Sequence, residues 1–192
     1  MNVFSSIPLT ILPLLFLLCA IETTLAQNVS LIRNTCKTSV TNDPNIKLNF
    51  CTTSLQAAPA SRCASLRGLA MISIRLLRYN VTDTRCLIKQ LEKTKNWDDF
   101  NKRRLNDCLE VYSDAIPSVK QAMKSFNAKK YDDANIQITA VMDAATTCED
   151  GFKERGNGTT SSSPLKKRND DAFQLGAIAL SVLRIIQRAR VI

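Results

Sequence analysis

Residues 105–126 read LNDCLEVYSDAIPSVKQAMKSF, and their apolar members fall at Leu105, Leu109, Tyr112, Ile116, Val119, Met123 and Phe126. Steps that alternate between four and three keep one side of an α-helix apolar, and a 3.5-residue repeat is the seam of near-antiparallel helix packing. The same rhythm recurs three times. It runs Ala70, Ile74, Leu77, Val81, Thr84, Ile88, Leu91 before this stretch, and Ala134, Ile138, Val141, Ala145, Cys148, Phe152 after it. A last stripe runs Ala172, Leu175, Ala179, Val182, Ile186, Ala189. With no proline between Ser61 and Lys95, the first stripe predicts one helix of about nine turns. Pro117 predicts a kink in the second helix. The breaks at Thr94–Asp99 and Asn127–Asp132 are short, so neighbouring helices should run antiparallel. A longer Gly-, Ser- and Thr-rich break from Lys153 to Asn169 reads as a surface loop. Four stripes joined this way predict an all-α, up-down-up-down four-helix bundle over residues 59–192.

Ahead of the bundle, Leu31, Ile32, Val40, Ile46, Leu48, Phe50 and Leu55 surround Asn42-Asp43-Pro44-Asn45, a strong turn signal. Strand-like alternation is absent and Pro59 follows, so residues 27–58 read as a helical hairpin. Cysteines test the layout, because residues equidistant from the turn of an antiparallel hairpin lie level. Cys36 and Cys51 are centred on Asp43-Pro44, and Cys108 and Cys148 on Ala128, so both pairs fit as disulfides. Cys63 and Cys86 are centred on Ile74-Arg75, inside an unbroken stripe, where helical rise separates them by about 35 Å. In order of preference they are free thiols, links to another chain, or evidence of a helix break near Asn80. The preferred reading also makes them buried or inert rather than functional.

The chain has 192 residues, 26 Lys and Arg against 17 Asp and Glu, a formal net charge of +9, seven Cys and no His. The missing imidazole excludes Ser-His-Asp and Cys-His hydrolases and every metal site needing a His ligand. No C-x-x-C occurs, so a cysteine metal site is not expected either, and no cofactor is. Ile7 to Ile21 is an apolar run ending ahead of Thr24-Leu25-Ala26, the small-residue pattern of signal-peptide cleavage. A membrane anchor would need about 20 apolar residues, so residues 1–26 are read as a removed signal, leaving six cysteines in a secreted chain. Asn28, Asn80 and Asn157 each open an N-x-S/T sequon and are candidate glycan sites.

Four carboxylate pairs, Asp98-Asp99, Asp132-Asp133, Glu149-Asp150 and Asp170-Asp171, raise glycosidase chemistry, which needs two acids facing one bond. Three lie at predicted helix starts, where capping accounts for them. Basic clusters at Arg103-Arg104, Lys129-Lys130, Lys166-Lys167-Arg168 and Arg184-Arg188-Arg190 raise nucleic acid, against which secretion argues. Adjacent Cys-Cys pairs, used by small lipid carriers, are absent.

Two blocks carry a family resemblance. Asp107-Cys108, Tyr112 and Asp114-Ala115 form a D-C-x-x-x-Y-x-D-A pattern, and Thr147-Cys148-Glu149-Asp150-Gly151-Phe152 forms T-C-E-D-x-F. With these and the cysteine-bracketed hairpin, the whole mature chain resembles the plant invertase and pectin methylesterase inhibitors. EDGFK at Glu149–Lys153 and the Leu175–Leu180 stretch look similar to its plane-pollen allergen subgroup. The resemblance implies a non-catalytic protein, secreted to the cell wall or apoplast with the vacuole as an alternative. It would bind a pectin methylesterase or an acid invertase one to one and block the active-site cleft. A secreted structural or allergen-like bundle without an enzyme target is the alternative.

Invertase-directed members are similar in carrying Pro-Lys-Phe between the second and third bundle helices, and here Lys129-Lys130-Tyr131 occupies that place. Lys129, Lys130, Tyr131 and Asp132 are therefore the expected target-binding loop. An ammonium there would pair with glycosidase carboxylates and the ring would fill a sugar-stacking site. The plainer reading is a solvated lysine, a tyrosine that staples the helix start, and Asp132 and Asp133 stabilising its N-terminus. A monomer is expected, without membrane or nucleic-acid partners, held electrostatically by the polyanionic pectin of the wall.

Overall fold

The computed structural model describes residues 29–94, 96–154 and 163–189. Residues 29–42 form α1 and Leu48–Ala57 form α2, so the N-terminal hairpin is helical on both arms. Asp43 closes its turn: the carboxylate accepts from the Asn45 amide at 3.0 Å and the carbonyl from the Ile46 amide at 3.1 Å. Ile32, Cys36, Cys51 and Leu55 bury the face between the arms, and Cys36 and Cys51 form a disulfide across it.

Pro59–Cys63 form a 3₁₀ helix, after which Ala64 is extended and α3 runs from Leu66 to Thr94. Helix α3 is thus shorter than the nine turns expected from Ser61. Proline seeds a separate helical turn ahead of it, and the extended Ala64 backbone interrupts the helix between them. Asp99–Asn127 form α4, Tyr131–Lys153 form α5 and Lys166–Arg188 form α6. Each packs on the next in chain order, and α6 closes on α3, giving the up-down-up-down bundle. Helix α4 runs as one element through Pro117.

The stripes are the core. Ala70, Ile74, Leu77, Val81, Thr84 and Ile88 on α3 are fully buried, as are Leu105, Tyr112 and Val119 on α4 and Ile138 and Phe152 on α5. Burying a large apolar side chain stabilises by about 1.5–3 kcal/mol, so these positions dominate the fold's favourable energy. Helices α5 and α6 approach closely where Gly176 faces Met142. A β-carbon there would overlap the Met142 side chain, which would have to shift to admit any larger residue.

Helix α6 begins earlier than the sequence indicated. Lys166-Lys167-Arg168, expected in the preceding loop, forms its first turn, and Asp170-Asp171 lies one turn inside rather than at the cap. Cations at a helix start oppose the macrodipole. Lys166 to Asp170 at 3.2 Å and Lys167 to Asp171 at 2.7 Å offset part of that cost. The decisive contribution is tertiary. Leu165 is fully buried just ahead of the helix, and Asn169 is buried within it, bonded to α4 and α5.

Candidate functional site

The turn between α4 and α5 is a Schellman motif. The Lys130 amide donates to the Ser125 carbonyl at 2.9 Å and the Lys129 amide to the Phe126 carbonyl at 3.0 Å. That pattern needs a left-handed residue after the helix, usually glycine, and Lys129 supplies it at φ 62°. The turn is held from outside by Arg67 of α3. Its guanidinium donates to the Phe126 carbonyl at 3.2 Å, the Asn127 carbonyl at 3.4 Å and the Tyr131 hydroxyl. It also lies 4.6 Å from the Phe126 ring centroid, a cation–π contact. No proline is present here, so the turn's rigidity comes from this clamp.

Lys129, Lys130 and Asp132 are exposed, whereas Tyr131 is 6 % exposed. Its ring packs on Phe126 with centroids 5.6 Å apart. The stacking role for that ring is therefore corrected: it faces the bundle, because a ring at the first position of α5 fills the apolar end of the core and has Arg67 for its hydroxyl. Asp132 accepts from Gln187 of α6 at 3.0 Å, and Asp132 and Asp133 both fall in the first turn of α5. A rigid turn with two outward lysines above a buried aromatic pair is what remains of the expected loop.

The turn sits on a cross-braced frame. Cys108 and Cys148 form the disulfide between α4 and α5. Beside it, the Tyr112 hydroxyl donates to Asn169 Oδ1 at 2.6 Å, and Asn169 Nδ2 donates to Glu149 at 2.8 Å. Burial, reinforced by the Glu149 charge, pushes the Tyr112 phenol well above the usual tyrosine range. The two motif blocks of the sequence therefore meet in one buried network, and Asn169, expected in a surface loop, is its centre.

Asp98 caps α4, its carboxylate accepting from the Asn101 amide at 2.8 Å. No group of acids or cysteines able to hold a metal ion exists among the described residues. Cys63 and Cys86 are unpaired and both exposed, not buried. Asn80 lies mid-helix in α3, only 8 % exposed. Asn28, Asn157 and the apolar run of residues 1–26 lie outside the described residues. No described helix is long and apolar enough to cross a membrane.

Residues 30–182 match the family model described as plant invertase/pectin methylesterase inhibitor. The chain belongs to that family. A protein of Platanus orientalis named "Putative invertase inhibitor" is 37% identical over 159 residues, 83% of this chain and 91% of its own. A pectinesterase inhibitor of Actinidia deliciosa is 33% identical over 105 residues, 55% of this chain and 56% of its own. A crystal structure of a mutant pectin methylesterase inhibitor from Arabidopsis superposes with a TM-score of 0.62 at 22% identity, over 72% of this chain and 89% of that one, a likeness of fold. Family members are named for the enzymes they inhibit, so this member is described as a binding protein rather than a catalyst.

Proposed function

We propose that this protein is an inhibitor of a plant carbohydrate-active enzyme, a pectin methylesterase or an acid invertase, acting by one-to-one binding over the active-site cleft. The observation that carries this is the family match along residues 30–182, on a bundle without a metal cluster or His-based site among the described residues. Secretion to the cell wall follows from the signal-like residues 1–26.

The finer reading is that the α4–α5 turn enters the target's cleft. Lys129 and Lys130 stand on a turn whose backbone is already ordered by Arg67 and the Schellman bonds, so binding loses little conformational entropy there. Invertase works through paired carboxylates, and ammonium groups brought against them form charge-assisted hydrogen bonds. Tyr131 serves from behind, as support for the turn. An interface of standard size buries roughly 800 Å² on each partner, so neighbouring helix ends must join the contact.

The test is a parallel titration of the oxidised protein, residues 27–192, against a pectin methylesterase and an acid invertase at acid pH. Stoichiometric loss of one activity is the expected result, and silence from both overturns the inhibitor reading. Lys129→Ala with Lys130→Ala should weaken invertase inhibition at least tenfold and leave any esterase inhibition within twofold. Equal effects, or none, would move the contact from the turn to the helix faces.

A further inference from the structure

A second surface of the bundle, away from the α4–α5 turn, is strongly cationic. The Arg85 Nε donates to Ser113 Oγ at 3.0 Å, which brings those residues of α3 and α4 together across the seam between the helices. Seven residues are two helical turns, so Arg78, seven before Arg85, and Lys120, seven beyond Ser113, lie on the same sides of their antiparallel helices and follow the same seam. One turn further along stand Arg75 on α3 and Lys124 on α4.

All four cations are exposed, and α2 of the hairpin contacts the 3₁₀ helix, α3 and α6. Among the described residues, none of these four makes an ion pair. The reason is visible in the sequence: residues 66–82 of α3 and 115–127 of α4 contain no Asp or Glu, the nearest acids being Asp83 and Asp114 at their edges. Helical rise and the usual 8–10 Å between helix axes place the four charges in a patch roughly 12 Å across.

Tyr79, four residues from Arg75 and so on the same side of α3, is 64% exposed, where most large apolar side chains are buried. Guanidinium forks pair with planar carboxylates two bonds at a time, and the face of an aromatic ring carries negative charge that attracts the polarised C–H groups of a sugar ring.

We infer that Arg75, Arg78, Lys120 and Lys124, with Tyr79 beside them, form a binding surface for an acidic polysaccharide of the polyuronate class. The carboxylates of successive sugars meet the cations, and one sugar face lies on the tyrosine. A polymer of this kind would hold the protein in place while leaving the α4–α5 turn, on the end of the bundle, free to engage an enzyme. The surface does not depend on which enzyme that is.

The experiment measures binding of residues 27–192 to immobilised polygalacturonate and to the same polymer fully methyl-esterified, over a range of salt concentrations. Expected are salt-sensitive binding to the acid form and at least tenfold weaker binding to the ester. The variant Arg75→Gln, Arg78→Gln, Lys120→Gln, Lys124→Gln should lose at least tenfold in affinity and flatten the salt dependence, since fewer counterions are released. A charge-matched control, Lys37→Gln, Lys47→Gln, Lys167→Gln, Arg184→Gln, should lose less than threefold. Tyr79→Ala should weaken binding without changing the salt slope, because a neutral ring releases no ions. A cooperative melting transition, measured for every variant, separates loss of fold from loss of binding. Equal losses in the two charge variants, undiminished binding by the first, or tighter binding to single-stranded DNA than to polygalacturonate would overturn the assignment. None of these readings uses an enzyme assay, so the polymer surface and the inhibitor reading succeed or fail separately.

Discussion

Lys129 holds a left-handed backbone conformation that costs an L residue with a β-carbon roughly 1–2 kcal/mol. Replacing it with glycine removes the strain but loosens the unfolded chain, so Lys129→Gly should stabilise by about 1 kcal/mol net. A melting temperature higher by about 2–4 °C is the expected reading for a protein of this size. Strained residues of this kind persist where the surroundings over-determine them, and here Arg67 and the two turn amides do so. Tyr112 makes the opposite case, a buried polar group whose neutral form is favoured. Its phenol is raised above the usual value near 10, so the folded state keeps a proton that the unfolded chain releases. Stability from this group is therefore complete below pH 10 and is lost as pH rises beyond it. Alkaline melting curves should show the decline, and Tyr112→Phe should flatten it. The same variant leaves Asn169 Oδ1 without its donor, at a cost of about 1–3 kcal/mol at pH 7. Cys63 and Cys86, exposed and unpaired, should give two thiols that react with an aromatic disulfide reagent without denaturant in the protein of residues 27–192.

At the level of elements, periodicity was the strongest signal. The stripe on α4 read from residues 105–126 alternates buried and half-buried residues throughout the helix, because a 3.5-residue repeat admits one inward side. Element ends were less legible. Lys166-Lys167-Arg168 looked like loop because cations disfavour a helix start, and only the burial of Leu165 and Asn169 explains why the helix extends over them. Likewise, Gly176 is unremarkable in sequence but lies against the Met142 side chain where α5 and α6 pack. Gly176→Leu would force Met142 and the α6 backbone apart and should destabilise by about 1–3 kcal/mol, read as a lowered denaturation midpoint. Replacing both Cys108 and Cys148 by Ser opens a 40-residue loop and should cost about 4 kcal/mol on the chain-entropy model, against about 3 for the Cys36–Cys51 pair.

For the molecule as a whole, a net charge of +9 without histidine has a measurable consequence. No imidazole is present to titrate near neutrality, so the melting temperature should change by less than about 2 °C between pH 6 and 7. Inhibition that changes steeply in that window would have its titrating group on the enzyme. The candidate site was half legible at this scale. The place of the Lys129-Lys130 turn was readable from the break between two stripes, and its lysines do face solvent. That Tyr131 faces inward was not readable, because the residue that claims its hydroxyl, Arg67, lies 64 positions away.

Sequence alone determined the helical class, the count of bundle helices, the two disulfides and the family, because periodicity, turn residues and cysteine spacing are local properties that survive without a partner. Tertiary structure decided what each exposed or buried side chain is available to do. It turned Tyr131 inward, buried Asn80 and drew Asn169 into the core. Those outcomes depend on which helices are neighbours and at what level they meet, and contacts between residues tens of positions apart set both.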